Sequence, residues 1–387
     1  MRIHLLLPLG LFLMLLTVAL STGSVLFFML SLLIALAVLA GLVSVLWASA
    51  TLRVASDLSD LTLQRGETAE LHLTARHQGL LPIAPITLLL DAAGSDPRPI
   101  RLRDMPGRKQ TLSMPVRGDH VGVFPTGLRA CIVEDLLGFF QRTVHLEDTL
   151  AEMSVLPRTF DTEPLILAPG DPGSEAMARA TEDLSSPSDI REYQPGDAMK
   201  KIHWKLSLRK GELMVRKFDE PILQDVLILM DCSRPPSWGH PRAEADLRDA
   251  LLETAASVFS AECRTDHAVR LPLLGSHPVD LDQHMSLSLV FDYLARADFS
   301  EMDRFERVLT LESRRLRKVG CVVVIAARLN SPMIDIMIRM HRMGPSLRLY
   351  LVTFAPDDAN VLPLISRLRQ AGIEVTYVTP ETGASEA

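Results

Sequence analysis

Basic, aromatic and histidine side chains that could bind an anion or transfer a proton are concentrated in residues 189–221. This window holds eight lysines and arginines against six carboxylates, although the 387-residue chain has a formal charge of −7. Cations around an aromatic side chain are typical of surfaces that bind carboxylates or phosphates. The same composition also fits an internal brace of ion pairs. The sequence leaves these two interpretations open.

The order of residues within this window predicts a turn at 193–197 followed by a helix. Proline and glycine favour the turn, and Asp197 can then accept hydrogen bonds from the first free amides of a helix. We expect that helix over 198–210, because cations and then a glycine follow its last apolar residue. Alternation over 202–208 also permits a strand. The candidate binding residues are Arg191, Tyr193, Gly196, Asp197, Lys201, Trp204 and Lys205.

An acid or base role is open to His203, which lies beside Trp204. Such a role needs a nucleophile or a second titrating group within reach, and the sequence places neither there. The chain also contains no P-loop, HExxH or GxSxG motif. We therefore expect no catalytic residue. The alternative is a membrane-associated hydrolase or transferase with a site near Asp197 and His203.

A second candidate site follows the first apolar strand of the C-terminal region, at 226–230. Asp231 and Ser233 stand at the end of this strand, where doubly wound sheets bind their ligands. An aspartate and serines spaced as DxSxS supply the oxygen ligands that a hard divalent ion prefers. These two residues are therefore the candidate metal ligands.

The N-terminal 52 residues predict a transmembrane helical hairpin. No ionised side chain lies between Arg2 and Arg53, and the apolar runs at 5–20 and 25–47 are each near the ~20 residues that a spanning helix needs. A cleaved signal peptide is the alternative for the first run. Because basic residues flank the hairpin and its turn has none, we expect both termini in the cytoplasm.

Three regions follow the hairpin. Period-two alternation over 53–160 predicts a small antiparallel β sandwich, and residues 161–188 have the proline-, glycine- and serine-rich composition of a linker. After the 189–221 segment, apolar strands alternate with amphipathic helices over 222–380, which predicts a doubly wound α/β domain. We expect residues 381–387 to be disordered. The four distant cysteines fit neither a zinc site nor a disulfide framework.

The chain resembles the domain of unknown function 58 family of bacterial membrane proteins. The resemblance includes a DxxGxF-like turn at 135–139 and the signature RxYxxGDxxxxIxWK, present as Arg191, Tyr193, Gly196, Asp197, Ile202, Trp204 and Lys205. It implies a von Willebrand factor type A-like α/β domain. It also implies association with MoxR-type AAA+ ATPases, and often with membrane transglutaminase-like proteins.

Type A domains bind metal through a motif whose second serine is replaced here by Pro235. We therefore expect Asp231 and Ser233 to bind Mg²⁺ weakly or not at all, and no other cofactor. The expected function is that of a non-enzymatic, multi-pass adaptor or scaffold in the bacterial inner membrane. Its soluble domains would be cytoplasmic and would recruit an ATPase or another envelope-associated partner. The acidic net charge argues against a nucleic-acid partner.

Overall fold

The chain divides into two compact units, Met1–Leu156 and Pro157–Ala387. The structure is a computed structural model. It describes residues 2–3, 6–77, 86–92, 95–102, 109–135, 137–146, 150–162, 189–194, 202–217, 225–236, 241–265, 268–273, 278–299, 305–316 and 319–380. The predicted tail at 381–387 and most of the predicted linker, 163–188, lie outside these residues.

Two apolar helices begin the first unit: α1 (Leu6–Thr22) and α2 (Val25–Thr51). They contact each other, and Gly23 between them has a positive φ of 59°. Neither helix carries an ionisable side chain. Within the described residues, α2 is the helix that is long and apolar enough to cross a membrane, with a mean hydropathy of 2.8, and α1 is shorter. This supports membrane anchoring at the N-terminus.

The strands of the first unit alternate between apolar and polar side chains, so that each can bury one face. In chain order they are β1 (Arg2–Ile3), β2 (Leu52–Leu58), β3 (Thr62–Gln64), β4 (Thr68–His77), β5 (Ile86–Ala92), β6 (Ser95–Leu102), β7 (Lys109–Arg117), β8 (Gly122–Glu134), β9 (Phe140–His145) and β10 (Leu150–Leu156).

These strands form two sheets that share one core. Strands β2, β4 and β7 make an antiparallel sheet, and the other seven make the second sheet. Leu71 and Leu73 of the first sheet cluster with Ile86, Leu88 and Met153 of the second, which is a sandwich arrangement. One pair departs from the expected antiparallel pattern: the short edge strand β3 runs parallel to β10.

The second unit alternates strands and helices. In chain order its elements are β11 (Asp189–Glu192), α3 (Trp204–Lys210), β12 (Met214–Lys217), β13 (Asp225–Met230), α4 (Pro241–Arg264), β14 (Ala268–Leu273), β15 (Val279–Asp282), α5 (Leu287–Ala295), α6 (Phe305–Ser313), β16 (Val319–Ala326), α7 (Ser331–Arg342), β17 (Ser346–Val352), α8 (Leu362–Gln370) and β18 (Glu374–Val378).

Six of these strands form one sheet, in the order β15-β14-β13-β16-β17-β18. All neighbours are parallel except β14 and β15. The alternation of strand and helix predicted the parallel strands. It did not predict β15, which returns after only five residues, 274–278, too few for the crossover that a parallel neighbour needs.

Helices bury both faces of this sheet. On one face, Leu229 of β13 and Val324 of β16 cluster with Phe305 of α6, Met337 of α7 and Leu368 of α8. Helix α4 contacts four strands of the same sheet but contributes no residue to that cluster, so it covers the opposite face. Because both faces of the sheet are buried, its strands consist of continuous apolar runs.

The boundary between the units falls at 156/157, four residues before the predicted end of the sandwich. The reason is visible at Phe160, whose N–H donates to Oγ of Ser257 on α4 at 3.0 Å. The hydroxyl of Thr162 donates to the carbonyl oxygen of the same serine at 3.4 Å. The chain at 160–162 therefore packs on the second unit.

Candidate functional site

The 189–221 segment is built on a two-stranded antiparallel sheet of β11 and β12. Arg191 lies in register with Val215, and beyond β11 the N–H of Tyr193 donates to the carbonyl oxygen of Leu213 at 2.8 Å. On the other side of β12, Ile202 forms an isolated antiparallel bridge to Val215. The backbone of the segment is thus tied to β12 from both sides.

Helix α3 begins later than predicted, and its cap is a different residue. Ile202 is extended in its bridge to β12, so a helix over 198–210 capped by Asp197 is wrong. The helix begins at Trp204, and Nδ1 of the preceding His203 accepts from the N–H of Leu206 at 3.3 Å. Its end is as predicted, with two cations in the last turn and Gly211 in the left-handed conformation at φ 77°.

Ser207 joins α3 to β12, a role that no sequence pattern indicated. Its hydroxyl donates to the carbonyl oxygen of His203 at 3.0 Å and accepts from the N–H of Met214 at 2.9 Å. The side chain is buried. Because this hydroxyl satisfies one backbone group on each element, it fixes which face of α3 turns towards β12.

The opposite face of α3 is exposed and carries apolar and basic side chains together. Trp204 is 59% exposed and Leu208, one turn later, is 85% exposed. Lys205 and Arg209 are exposed beside them. We call these four residues the α3 patch. Residues four apart share a helix face, so the tryptophan and the leucine form one apolar stripe with cations at its side.

The structure places only some of the predicted binding residues. Trp204 and Lys205 lie together in the α3 patch, and Tyr193 is half-buried beside β12. Arg191 is described by its backbone position in β11. Gly196, Asp197 and Lys201 lie outside the described residues. The alternative interpretation, an internal brace of ion pairs with Trp204 in the core, does not agree with the exposure of the Trp204 side chain.

The second candidate site lies at the carboxyl end of the central strand β13. Asp231 is 2% exposed, and its Oδ1 accepts hydrogen bonds from both the N–H and the hydroxyl of Ser233. Its Oδ2 lies 3.5 Å from Nε of Arg328. Arg328 follows the adjacent parallel strand β16, so the ends of neighbouring strands bring the pair together.

The surroundings of Asp231 act on its pKa in opposite directions. Burial, the largest effect, raises the pKa of this carboxyl above its ordinary value, because a buried carboxylate loses its hydration. The hydrogen bonds from Ser233 and the guanidinium of Arg328 oppose the increase. The cost of burying this carboxylate is therefore partly offset by hydrogen-bond donors within the protein.

These residues do not fit the divalent cation that a type A-like fold would imply. Such an ion takes about six oxygen ligands, whereas the cavity at Asp231 and Ser233 is about 10 Å³ and is otherwise lined mainly by apolar side chains. That volume holds about one water. Pro235 adds no side-chain oxygen, and Arg328 already provides a positive charge at the carboxylate. We assign no metal chemistry to the site.

Comparison with known proteins links this region to a family without an assigned activity. Residues 189–342 match the family model described as protein of unknown function DUF58. An uncharacterized protein of Bacillus subtilis (strain 168), YeaD, is 24% identical over 182 residues, which cover 45% of this chain and 43% of YeaD. The alignment thus spans less than half of that relative.

Two solved structures show distant likenesses. Cwp6 from Clostridium difficile aligns with 85% of this chain and 53% of its own, at 10% identity and a TM-score of 0.20. Spo0M, a sporulation control protein from Bacillus subtilis, aligns with 37% of this chain and 58% of its own, at 11% identity and a TM-score of 0.16. Both TM-scores are too low to indicate a shared overall fold. The family match, which includes the α3 patch, Asp231 and Arg328, supports the resemblance to the domain of unknown function 58 family over residues 189–342.

Proposed function

We propose that the protein is a non-enzymatic, membrane-anchored adaptor or scaffold that recruits its partner through the α3 patch. The observation that carries this proposal is the exposure of Trp204 and Leu208 beside Lys205 and Arg209. An exposed tryptophan among cations has the composition of an interaction hot spot. Fully covering the leucine would release about 1.5–3 kcal/mol of transfer free energy, from which the costs of association are subtracted.

The chemistry of the patch defines the partner. Residues 204–213 contain three cations and one carboxylate, so an acidic surface with apolar side chains is complementary to it, and charge attraction would speed the encounter. A MoxR-type AAA+ ATPase is the partner that the family resemblance implies, and a transglutaminase-like membrane protein is a further one. Nucleic acid is not among the proposed partners.

We also infer the membrane context and the fold type of the second unit. α1 and α2 would form a hairpin in the bacterial inner membrane, with both soluble regions in the cytoplasm; the support is their apolar length and the short connection between them. A von Willebrand factor type A-like domain is supported by a mostly parallel sheet whose first strand, β13, is central and is followed directly by Asp231.

The alternative is an enzyme with a site near Asp197 and His203. The geometry of His203 favours the adaptor, because its Nδ1 accepts the hydrogen bond that caps α3. A general base would need that lone pair, or the opposite nitrogen, directed at a substrate. Among the described residues, the hydroxyl of Ser207 hydrogen-bonds to this histidine, but through its backbone carbonyl oxygen and not through the ring.

Co-purification tests the proposal. The tagged full-length protein is extracted from its native membrane in mild detergent, and the MoxR-type ATPase of the same bacterium is quantified in the eluate. We expect Trp204→Ala and Lys205→Glu each to reduce the retained ATPase about tenfold, the equivalent of about 1.4 kcal/mol. Higher salt should weaken the complex as well, because the charges are exposed.

Matched controls are exposed side chains on other helices of the same unit. Leu208→Ser is compared with Leu362→Ser on α8, and Lys205→Glu with Arg339→Glu on α7, all at exposed positions. Equal ATPase retention by patch and control variants would contradict the proposal. Charge reversal at Lys201 and Lys205 that keeps the partner but abolishes a hydrolytic or transfer activity would instead favour the enzyme.

A further inference from the structure

We propose that the turn made by Asp135 and Leu137–Phe140, here called the interfacial turn, is where the β sandwich contacts the lipid bilayer, and that Leu137 at its tip inserts at the boundary between the lipid headgroups and the hydrocarbon. The inference rests on the membrane anchoring proposed above. It adds a second contact with the membrane, made by the β sandwich itself. Three features of the first unit carry it.

The first feature is the rigidity of the turn. Oδ1 of Asp135 accepts from the N–H of Phe140 at 2.7 Å, and Oδ2 accepts from the N–H of Leu137 at 3.1 Å. Gly138 adopts φ 73°, and its N–H donates to the carbonyl oxygen of Asp135 at 3.1 Å. Asp135 and Phe140 are buried, yet Leu137 is 57% exposed. The described residues of the turn therefore hold an apolar side chain outwards on a hydrogen-bonded backbone.

The second feature is direct contact between the turn and α2. A Cβ atom added to Gly41 would lie 2.9 Å from Oδ2 of Asp135 and 3.4 Å from the ring of Phe140. Only glycine permits so close an approach. Val45 and Ala48, the next residues along the same helix face, are also buried. This face of α2 thus packs on the sandwich.

The third feature is the start of α1. β1, which directly precedes α1, pairs with β9 so that Ile3 lies opposite Phe140. Farther along β9, Nη1 of Arg142 donates to Oγ of Ser49 near the end of α2 at 3.0 Å. The end of α2 and the short strand that precedes α1 are therefore held against β9, the strand that the interfacial turn leads into.

The rise per residue of α2 gives the depth of these contacts in the bilayer. Gly41 lies 16 residues after Val25, about 24 Å along α2 at 1.5 Å per residue, in a hydrocarbon core about 30 Å thick. Trp47, 40% exposed, is about 9 Å farther along by the same rise, where interfacial tryptophans are found. Counted from Val25, Gly41 thus lies about 6 Å inside the far edge of the core and Trp47 about 3 Å beyond it, so the turn beside Gly41 lies close to that edge.

The chemistry of the turn suits that position. Leu137 is the exposed apolar side chain among the described residues of the turn, and its transfer from water into an apolar environment is favourable. The carboxylate of Asp135 accepts two backbone N–H groups and is covered by Gly41. The turn therefore presents an apolar side chain to lipid without presenting a bare charge.

Tryptophan fluorescence tests the inference on the full-length protein in vesicles of phosphatidylethanolamine and phosphatidylglycerol. Leu137→Trp is compared with Leu61→Trp, after subtraction of the native signal. Leu61 is 55% exposed and lies between β2 and β3, beyond the end of β2 that is farther from α2, so it serves as a matched control. We expect the tryptophan introduced at 137 to have blue-shifted emission, quenching by nitroxide lipids and protection from iodide.

Equal emission, lipid quenching and iodide quenching at the two positions would overturn the inference. Extraction with alkaline carbonate separates this failure from a failure of membrane anchoring. If the protein stays with the membrane while the tryptophan at 137 is quenched by iodide like that at 61, only the interfacial turn is wrong. If carbonate releases the protein, both proposals fail.

Discussion

The Asp231–Arg328 pair shows how single side chains decide what an edge of a sheet can bind. A buried carboxylate needs donors or a counter-ion to offset its lost hydration. Ser233 supplies the donors from the same loop, and Arg328 supplies the positive charge from the end of β16. Asp231 and Ser233 are close in sequence, and the sequence predicts them as a site. The arginine is almost a hundred residues away, and only the adjacency of β13 and β16 brings it there.

Stability should depend on pH through Asp231. Burial raises the pKa of this carboxyl in the folded state, so the folded protein binds the proton more tightly than the unfolded chain does. The resulting stabilisation is complete below the unfolded pKa and is lost as the pH rises through the folded pKa. We expect the free energy of unfolding of the native protein to fall across this window relative to that of Asp231→Asn. Denaturant titrations at several pH values measure it.

The control for this prediction is Asp357→Asn, which changes an exposed carboxylate of the same unit. Its pH profile should run parallel to that of the native protein, because an exposed carboxyl is hydrated in both states. Parallel profiles for the native protein and Asp231→Asn would contradict the prediction.

Divalent ions should not bind at the Asp231 edge. The small cavity and the guanidinium beside the carboxylate leave no room for an ion with its oxygen ligands. Calorimetric titration of the full-length protein with Mg²⁺ and Mn²⁺ should therefore show no saturable heat that depends on this residue. Clear binding by the native protein that disappears in Asp231→Ala would refute this expectation.

Among the elements, α3 shows how tertiary contacts set the limits of a helix. The caps read from the sequence placed its end correctly at Gly211 but not its start. Ile202 pairs with Val215, and an extended residue cannot lie within a helix. His203 therefore caps the helix that Asp197 was expected to cap. A β-bridge between residues 13 apart decided this, and propensity over a local window does not include it.

Ser207→Ala should loosen the contact between α3 and β12. The N–H of Met214 would lose its acceptor in a buried position, which costs about 1–3 kcal/mol. Hydrogen–deuterium exchange should then accelerate in residues 203–215. Ser366→Ala is the control, because the hydrogen bond of that exposed hydroxyl, to the carbonyl oxygen of Pro363, lies within α8. Unchanged exchange around Met214 would show that the hydroxyl is dispensable.

For the molecule as a whole, the two apolar helices and the positive-inside rule predict which side of the membrane the protein occupies. If the C-terminus is cytoplasmic, green fluorescent protein fused after Ala387 should fluoresce and alkaline phosphatase fused there should be inactive. Phosphatase fused after Ser24, between α1 and α2, should be active. Active phosphatase at the C-terminus would reverse the orientation.

The amino-acid sequence alone determined most of the element types along the chain. Charge-free runs predicted the apolar helices, alternation predicted the half-buried strands of the first unit, and continuous apolar runs predicted the five parallel strands of the second. These features depend on residues near one another in the chain, whose periodicity records which side is buried. The signature of the 189–221 segment was also readable, because its motif is local.

Only the tertiary structure decided which of those residues meet. It exposed Trp204, assigned the cap of α3 to His203, placed Arg328 on Asp231 and brought Gly41 against Asp135. The physical reason is common to all of these outcomes. Each depends on contact between segments far apart in sequence, where packing and hydrogen bonding between elements outweigh the preferences of the local chain.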